Sequence, residues 1–398
     1  MENREQQIEE LLSRGVAEVI DREHLKARLL AGEKLRVKLG IDPTSPNIHL
    51  GRSIPLLKLR DFQTLGCQVV FIVGDFTGVI GDTSDKESER PMLTREQVES
   101  NMQHYLEQAF KILDPEKTEA HYNSEWLAKI GFLELGTMAS QFSVHEFISR
   151  ELVAKRLAAG SRVSFHEMLY PLMQGYDSVA IKADVELGGT DQRFNLLAGR
   201  TLQPKYGQAS QDILMTNLIL GTDGRKMSSS WGNTINLTDA PNDMFGKVMS
   251  VPDELIETYF IHCTRVALDE VKEAMSLPNP RDAKLRLAEE IVKIYYGSDE
   301  AKKAVQYFVE TFSKGQLPEN IPECKVKWSE ELNSYENILD YIIGAGFASS
   351  RGEARRKIEQ GGVYIDGVRT VDVRILNPDT DNGKVLQVGK KDFVKIVF

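Results

Sequence analysis

Cysteine is scarce: Cys67, Cys263 and Cys324 stand far apart in 398 residues. An odd, scattered set suggests neither a disulfide framework nor a zinc site, and a reducing, cytoplasmic setting is expected. No apolar run approaches the roughly 20 residues of a membrane-spanning helix, so no membrane partner is expected. Basic charge falls short of acidic, with 49 Lys and Arg against 59 Asp and Glu and a net charge of -10. That balance argues against bulk attraction to nucleic acid, and an RNA partner would need a local basic patch. The opening Met1-Glu2-Asn3-Arg4-Glu5-Gln6-Gln7 is polar and acidic, unlike a secretory signal. There is no internal repeat and no low-complexity tract. What remains is an ordinary globular composition, long enough for two or three domains.

Ile8, Leu11, Leu12, Val16 and Val19 recur at helical spacing and predict an N-terminal amphipathic helix. Residues 35–39 alternate like a strand, and Leu56, Leu57, Leu59 and Phe62 mark a helix that stops at Gly66. Between them lies the loop Gly40-Ile41-Asp42-Pro43-Thr44-Ser45-Pro46-Asn47-Ile48-His49-Leu50-Gly51. A helix start after a strand is an anion site, although His49 alone fits an ordinary turn. Residues 67–73 read as a strand buried on both faces, followed by a glycine-punctuated loop at 74–81. Thr94-Arg95-Glu96-Gln97 has capping-box form and opens a helix to about Leu113. Residues from about 115 to 165 lack strong strand signals and read as a helical insertion. Residues 180–187 and 213–219 read as strands, with Gly188-Gly189 turning into a helix that carries Phe194, Leu197 and Ala198. Strands alternating with helices predict an α/β fold, a Rossmann-like doubly wound parallel sheet. Ligands in such sheets sit beyond the carboxyl ends of the strands. Residues 236–315 turn helical, 316–335 read as a linker, and 336–398 read as a small α/β unit. Tyr170, Gln174 and Asp177 can share one helix face, a spacing that fits an aromatic core residue beside a polar face equally well.

Three stretches carry a resemblance. His49-Leu50-Gly51-Arg52 sits where tyrosyl-tRNA synthetases carry His-Ile-Gly-His, and Lys226-Met227-Ser228-Ser229-Ser230 sits where they carry Lys-Met-Ser-Lys-Ser. The third is Tyr170-Pro171-Leu172-Met173-Gln174-Gly175-Tyr176-Asp177 with Gly188-Gly189-Thr190-Asp191-Gln192. With these in order, the sequence closely resembles that class I aminoacyl-tRNA synthetase family over nearly its whole length. The resemblance implies a tyrosine–tRNA ligase. Such an enzyme activates L-tyrosine with ATP to tyrosyl-adenylate, then passes the tyrosyl group to the 3′ end of tRNA(Tyr). Residues 1–235 would be the catalytic domain, and 236–315 a helical domain on the anticodon side of the tRNA.

The first step needs positioning, and positive charge on the departing pyrophosphate. The resemblance implies Thr44, His49 and Lys226 for this, with Lys86 and Arg90 closing from a loop. It implies Asp42, Gly51, Arg52, Gly189, Asp191, Lys226, Met227, Ser228 and Ser229 at ATP. It implies Asp82, Tyr170 and Gln174 at the tyrosine ammonium, Gln192 beside the substrate, and Asp177 at the phenol hydroxyl. Phenylalanine would leave the Asp177 carboxylate unpaired. Arg52 replaces the second histidine and Ser229 the second lysine of the two signatures. Lys38 stands where some members place a tyrosine against the phenol. Magnesium is expected to arrive with ATP, with no resident metal or prosthetic group.

Residues 341–398 hold ten Lys and Arg against seven Asp and Glu. Arg351 and Arg355 fall at i,i+4 beside Arg356 and Lys357, behind Ser350 as a cap. Charge alone fits a solvated helix, but the stretch is similar to the S4 RNA-binding domain, which implies RNA contact by these four residues. Asp366-Gly367 predicts a hairpin turn. A homodimer is expected through the insertion, where Phe132, Leu133, Leu135, Met138, Phe142 and Phe147 exceed what a solvated segment needs. The alternatives are a tryptophanyl-tRNA synthetase, an RNA-binding protein on an inactive synthetase scaffold, and a small-molecule nucleotidylyltransferase. Gln174 with Tyr176-Asp177 and the tail favour tyrosine. Retention of Thr44, His49, Lys226 and Asp191 favours activity.

Overall fold

The computed structural model describes residues 2–82, 92–313, 321–330, 333–389 and 392–398. They form two compact units, Met1–Ala304 and Val305–Phe398. The first is built on a six-stranded sheet of β1 (Val16–Ile20), β2 (Arg36–Ile41), β3 (Gln68–Val73), β4 (Thr118–Tyr122), β5 (Val185–Gly189) and β6 (Asp212–Thr216), in the order β1-β6-β5-β2-β3-β4. Only β1 runs antiparallel, against β6. From β2 the chain builds outward through β3 and β4 on one side and β5 and β6 on the other. The switch point therefore lies between β2 and β5. Val69 to Val73 and Ile213 to Met215 are wholly buried, which requires cover on both faces. Pairing runs from Arg36 opposite Gln68 to Ile41 opposite Val73. Strands β2 and β3 thus stop level, and the chain leaves them at Asp42 and Gly74 side by side.

Several sequence expectations are corrected. The N-terminal helix is Glu2–Ser13, burying Ile8, Leu11 and Leu12, but Val16 and Val19 lie in β1. Gly15 breaks the helical period with a φ of +65°, and β6 offers an edge for β1 to pair with. The insertion begins with a strand, β4, whose polar sequence Thr-Glu-Ala-His-Tyr hides an edge position held by the backbone of β3. Residues 180 and 181 still belong to the Tyr170–Ile181 helix, which ends on Lys182 at a φ of 52°, while Gly188 and Gly189 close β5. The 74–81 loop contains a short helix, Thr77–Ile80. The capping box at Thr94 and Gln97 forms, yet that helix stops at Met102 and a second spans Tyr105–Ala109.

The helices between Pro241 and Tyr296 pack into the first unit instead of standing apart. Tyr295 bonds Ser53 at 2.9 Å, and the Arg14 guanidinium donates to the carbonyls of Phe260, Ile261 and Val266 at 2.7–3.0 Å. In the second unit, Glu323–Lys325, read as linker, pairs parallel with Asp392–Val397 and extends an antiparallel sheet. Ile338–Gly344 and Arg351–Glu359 supply Tyr341, Ile342, Ala354 and Ile358 to its core. Asp366 and Gly367, with φ of 48° and 75°, form the hairpin turn between Val363–Ile365 and Val368–Arg369. No described helix is long and apolar enough to cross a membrane.

Candidate active site

A cavity of about 510 Å³ opens at the switch point. Asp42 anchors it. Its Oδ2 accepts from the Tyr170 hydroxyl at 2.9 Å and its Oδ1 from Thr77 at 2.7 Å. Gly74 makes this possible, because a Cβ there would lie 2.1 Å from Asp42 Oδ1. Burial keeps the Tyr170 phenol protonated, so it gives its proton to Asp42 and leaves its lone pairs to accept. Asp82 accepts from Gln192 at 2.9 Å and Asn195 at 3.4 Å. Tyr170, Asp42 and Asp82 form an acceptor set suited to an ammonium.

Donors come from two other loops. His49 precedes the helix Leu50–Thr64, and its ring lies over Gly51, where a Cβ would come within 3.1 Å. Burial first, then Arg52 and Lys226, push the imidazole down to about 3. It is neutral near pH 7 and offers an oxyanion an N–H hydrogen bond, not a charge, which corrects the expectation of positive charge from His49. Arg52 reaches Thr44 Oγ1 at 2.7 Å and is steadied by the Tyr105 hydroxyl at 2.9 Å. Lys226 Nζ pairs with Asp191 at 3.0 Å. The two signature loops meet where Ser45 and Ser229 hydroxyls bond at 3.2 Å and Gly51 N–H approaches Met227 Sδ at 3.3 Å.

The family described as tRNA synthetases class I (W and Y) matches residues 30–313, and the tyrosine–tRNA ligase SYY-like C-terminal domain matches 314–396. A tyrosine–tRNA ligase of Thermotoga maritima is 46% identical, over 97% of this chain and 96% of its own. One from Dehalococcoides mccartyi is 45% identical across the full length of both. The chain belongs to the tyrosine–tRNA ligases. In fold, the chain is similar to the tyrosyl-tRNA synthetase of Archaeoglobus fulgidus solved with L-tyrosine, with a TM-score of 0.60, 24% identity, and coverage of 75% of this chain and 99% of that one.

All the residues expected at ATP in this tyrosine–tRNA ligase line the cavity, as do Thr44, Asp82, Tyr170 and Gln192. Lys86 and Arg90 lie outside the described residues. Lys38, Gln174 and Asp177 do not line it. Lys38 is wholly buried, its Nζ 2.8 Å from Glu186 Oε1 and 2.9 Å from both Gln174 O and Ser178 Oγ. All three of its protons are engaged, so it has none for a phenol. The expected tyrosine contact at Lys38 is replaced by a structural ion pair.

Asp177 is buried too, accepting from Trp126 Nε1 at 2.7 Å and Asn123 Nδ2 at 3.3 Å. Neither partner was legible in the sequence, since each comes from the insertion without a motif. Asn233 was missed likewise. It holds the Lys226 loop by accepting from Ser228 N and donating to Asp223 and the Lys226 carbonyl. Among the described residues, the one cluster with metal-ligand spacing is Asp21, His24 and Asp212, and none of these lines the cavity.

Burial pushes the Asp177 carboxyl up to about 7, against the opposing pull of Lys38, Trp126 and Asn123. The folded protein then holds this proton more tightly than the unfolded chain does. Its contribution is present below about pH 4 and is lost as pH rises through about 7. Asp177→Asn should remove that component. The stability difference between variant and wild type in urea unfolding should change between those pH values and stay flat above them.

Proposed function

We propose that this chain makes tyrosyl-tRNA(Tyr) in two steps at the switch-point cavity. The carboxylate of L-tyrosine attacks the α-phosphate of ATP and pyrophosphate departs. The tyrosyl group then passes to the terminal ribose of tRNA. One observation carries this reading: a single cavity joins an acceptor set, Tyr170, Asp42 and Asp82, to a donor set, Arg52, His49 and Lys226. The first suits an amino-acid ammonium and the second suits phosphates; Gln174, one helical turn beyond Tyr170 and behind the cavity lining, joins the first set through its Oε1 when the ammonium is seated.

No covalent enzyme nucleophile is needed, because the substrate supplies one. Catalysis comes from alignment and from stabilising the leaving group. Lys226 leaves Asp191 as the phosphates arrive, and the freed Asp191 carboxylate accepts from the ribose hydroxyls. His49 donates through its neutral ring, and Arg52 holds the Thr44 hydroxyl in place. Magnesium enters with ATP. Asp177 lies behind the cavity lining, oriented by Trp126 and Asn123, and accepts from the phenol hydroxyl when the substrate ring reaches it. The free cysteines suit a reducing cytoplasm.

Tyrosine-dependent ATP–pyrophosphate exchange tests the chemistry. Lys226→Ala should lower kcat by roughly 10²–10³-fold, with the tyrosine KM moving only a few-fold. A raised tyrosine KM at unchanged kcat would remove Lys226 from the leaving group.

The insertion leaves Phe132 94% and Leu133 88% exposed, together with Val144 and Phe165. Apolar exposure on this scale suits a second copy of the chain. Sedimentation at micromolar concentration should show a dimer, and Phe132→Asp/Leu133→Asp should convert it to monomer.

The terminal basic helix divides in two. Arg351 is committed to Asp340 and Lys357 to Glu353 and the Phe347 carbonyl. Arg355 and Arg356 are exposed with no ion pair among the described residues, so they are the pair offered to tRNA phosphates. Arg355→Glu/Arg356→Glu should weaken tRNA binding and reduce its salt slope by about 1–2, while exchange without tRNA stays intact. An unchanged salt slope would end the RNA-binding role of this helix.

A further inference from the structure

Beneath the Tyr170–Ile181 helix lies a buried polar cluster that the two-step reaction does not itself use. Glu186, on β5, is 1% exposed, and Lys38, on β2, has no exposure at all. Four donors surround the Glu186 carboxylate. Lys38 Nζ lies 2.8 Å away, Gln174 Nε2 and Ser178 Oγ each 3.0 Å, and Gln211 Nε2 completes the set. Lys38 also holds the main-chain carbonyl of Gln174 at 2.9 Å. An ionised carboxylate is an acceptor only, so the Gln174 amide must meet it with its NH₂ group. The Gln174 Oε1 atom is then left over, buried and without a hydrogen-bond partner. A buried orphan acceptor is costly, and an ammonium is the donor that would relieve it.

We propose that Lys38 and Glu186 are positioning residues for amino-acid recognition, clamping the Gln174 amide so that its carbonyl oxygen, and not its NH₂, is presented to the substrate ammonium. Lys38 holds the Gln174 backbone and supplies the counter-charge, and Glu186 sets the amide orientation. Without the pair the amide can turn over and offer a donor to a cation. The proposal rests on the reading of Gln174 as an ammonium ligand.

The test compares competitive inhibition of exchange by L-tyrosinol with that by 3-(4-hydroxyphenyl)propan-1-ol, which lacks only the amine. Replacing the ion pair as a unit, Lys38→Met/Glu186→Leu, leaves no unpaired charge in the core. This variant should melt close to wild type and keep its ATP KM. Its inhibition constant for tyrosinol should rise about tenfold or more, with that for the deamino compound unchanged. Ser178→Ala, which removes a single hydroxyl from the cluster, should show the same selectivity with a rise of about two- to fivefold. This holds the test open if the double variant does not fold. Equal rises for both compounds, or none for tyrosinol, overturn the proposal. Gln174→Ala separates the two readings. If it leaves tyrosinol binding unchanged, the assignment of Gln174 to the ammonium fails. If it weakens tyrosinol while the Lys38 and Ser178 variants do not, the positioning role alone fails.

Discussion

The side chain and carbonyl of Asp42 tie the site together. Its carboxylate receives Tyr170 from the helix before β5 and Thr77 from the loop after β3, and its carbonyl receives Arg52 at 3.2 Å. The level ends of β2 and β3 and the absence of a side chain at Gly74 are what allow those bonds. The Tyr170 side and the Arg52 side of the cavity thus share one anchor. A sheet that builds outward in both directions from β2 leaves this gap, and Asp42 spans it.

Electrostatics at the site are arranged by burial as much as by sequence. Enclosure makes His49 a neutral donor and lifts the Asp177 carboxyl toward neutrality. Lys226 pairs with Asp191. Deeper still, Lys38 and Glu186 form a buried pair, and the attraction within such a pair is largely offset by desolvation. The return on such a pair is orientation, here of the Gln174 amide.

The second unit repeats the lesson on its surface. Four basic residues cluster in sequence on one helix, but Asp340 and Glu353 neutralise Arg351 and Lys357. Of the four, Arg355 and Arg356 have no ion pair among the described residues. The carboxylate that claims Arg351 sits on a neighbouring helix, eleven residues back, where helical spacing does not reach.

The sequence by itself determined the parallel sheet, the two signature loops and which of their residues would gather at one cavity. Those features are local: strand, turn and helix start occupy consecutive residues, and period and glycine placement encode them directly. Gly66 as a helix stop and Asp366-Gly367 as a turn were readable for the same reason. Tertiary structure alone decided β1 and β4, whose pairing depends on edges supplied by β6 and β3. It also decided that Lys38 points into an ion pair, that Trp126 and Asn123 hold Asp177, and that Asn233 holds the Lys226 loop. Each of these joins residues distant in the chain, and which partner a buried polar atom finds is set by packing, not by its own sequence neighbourhood.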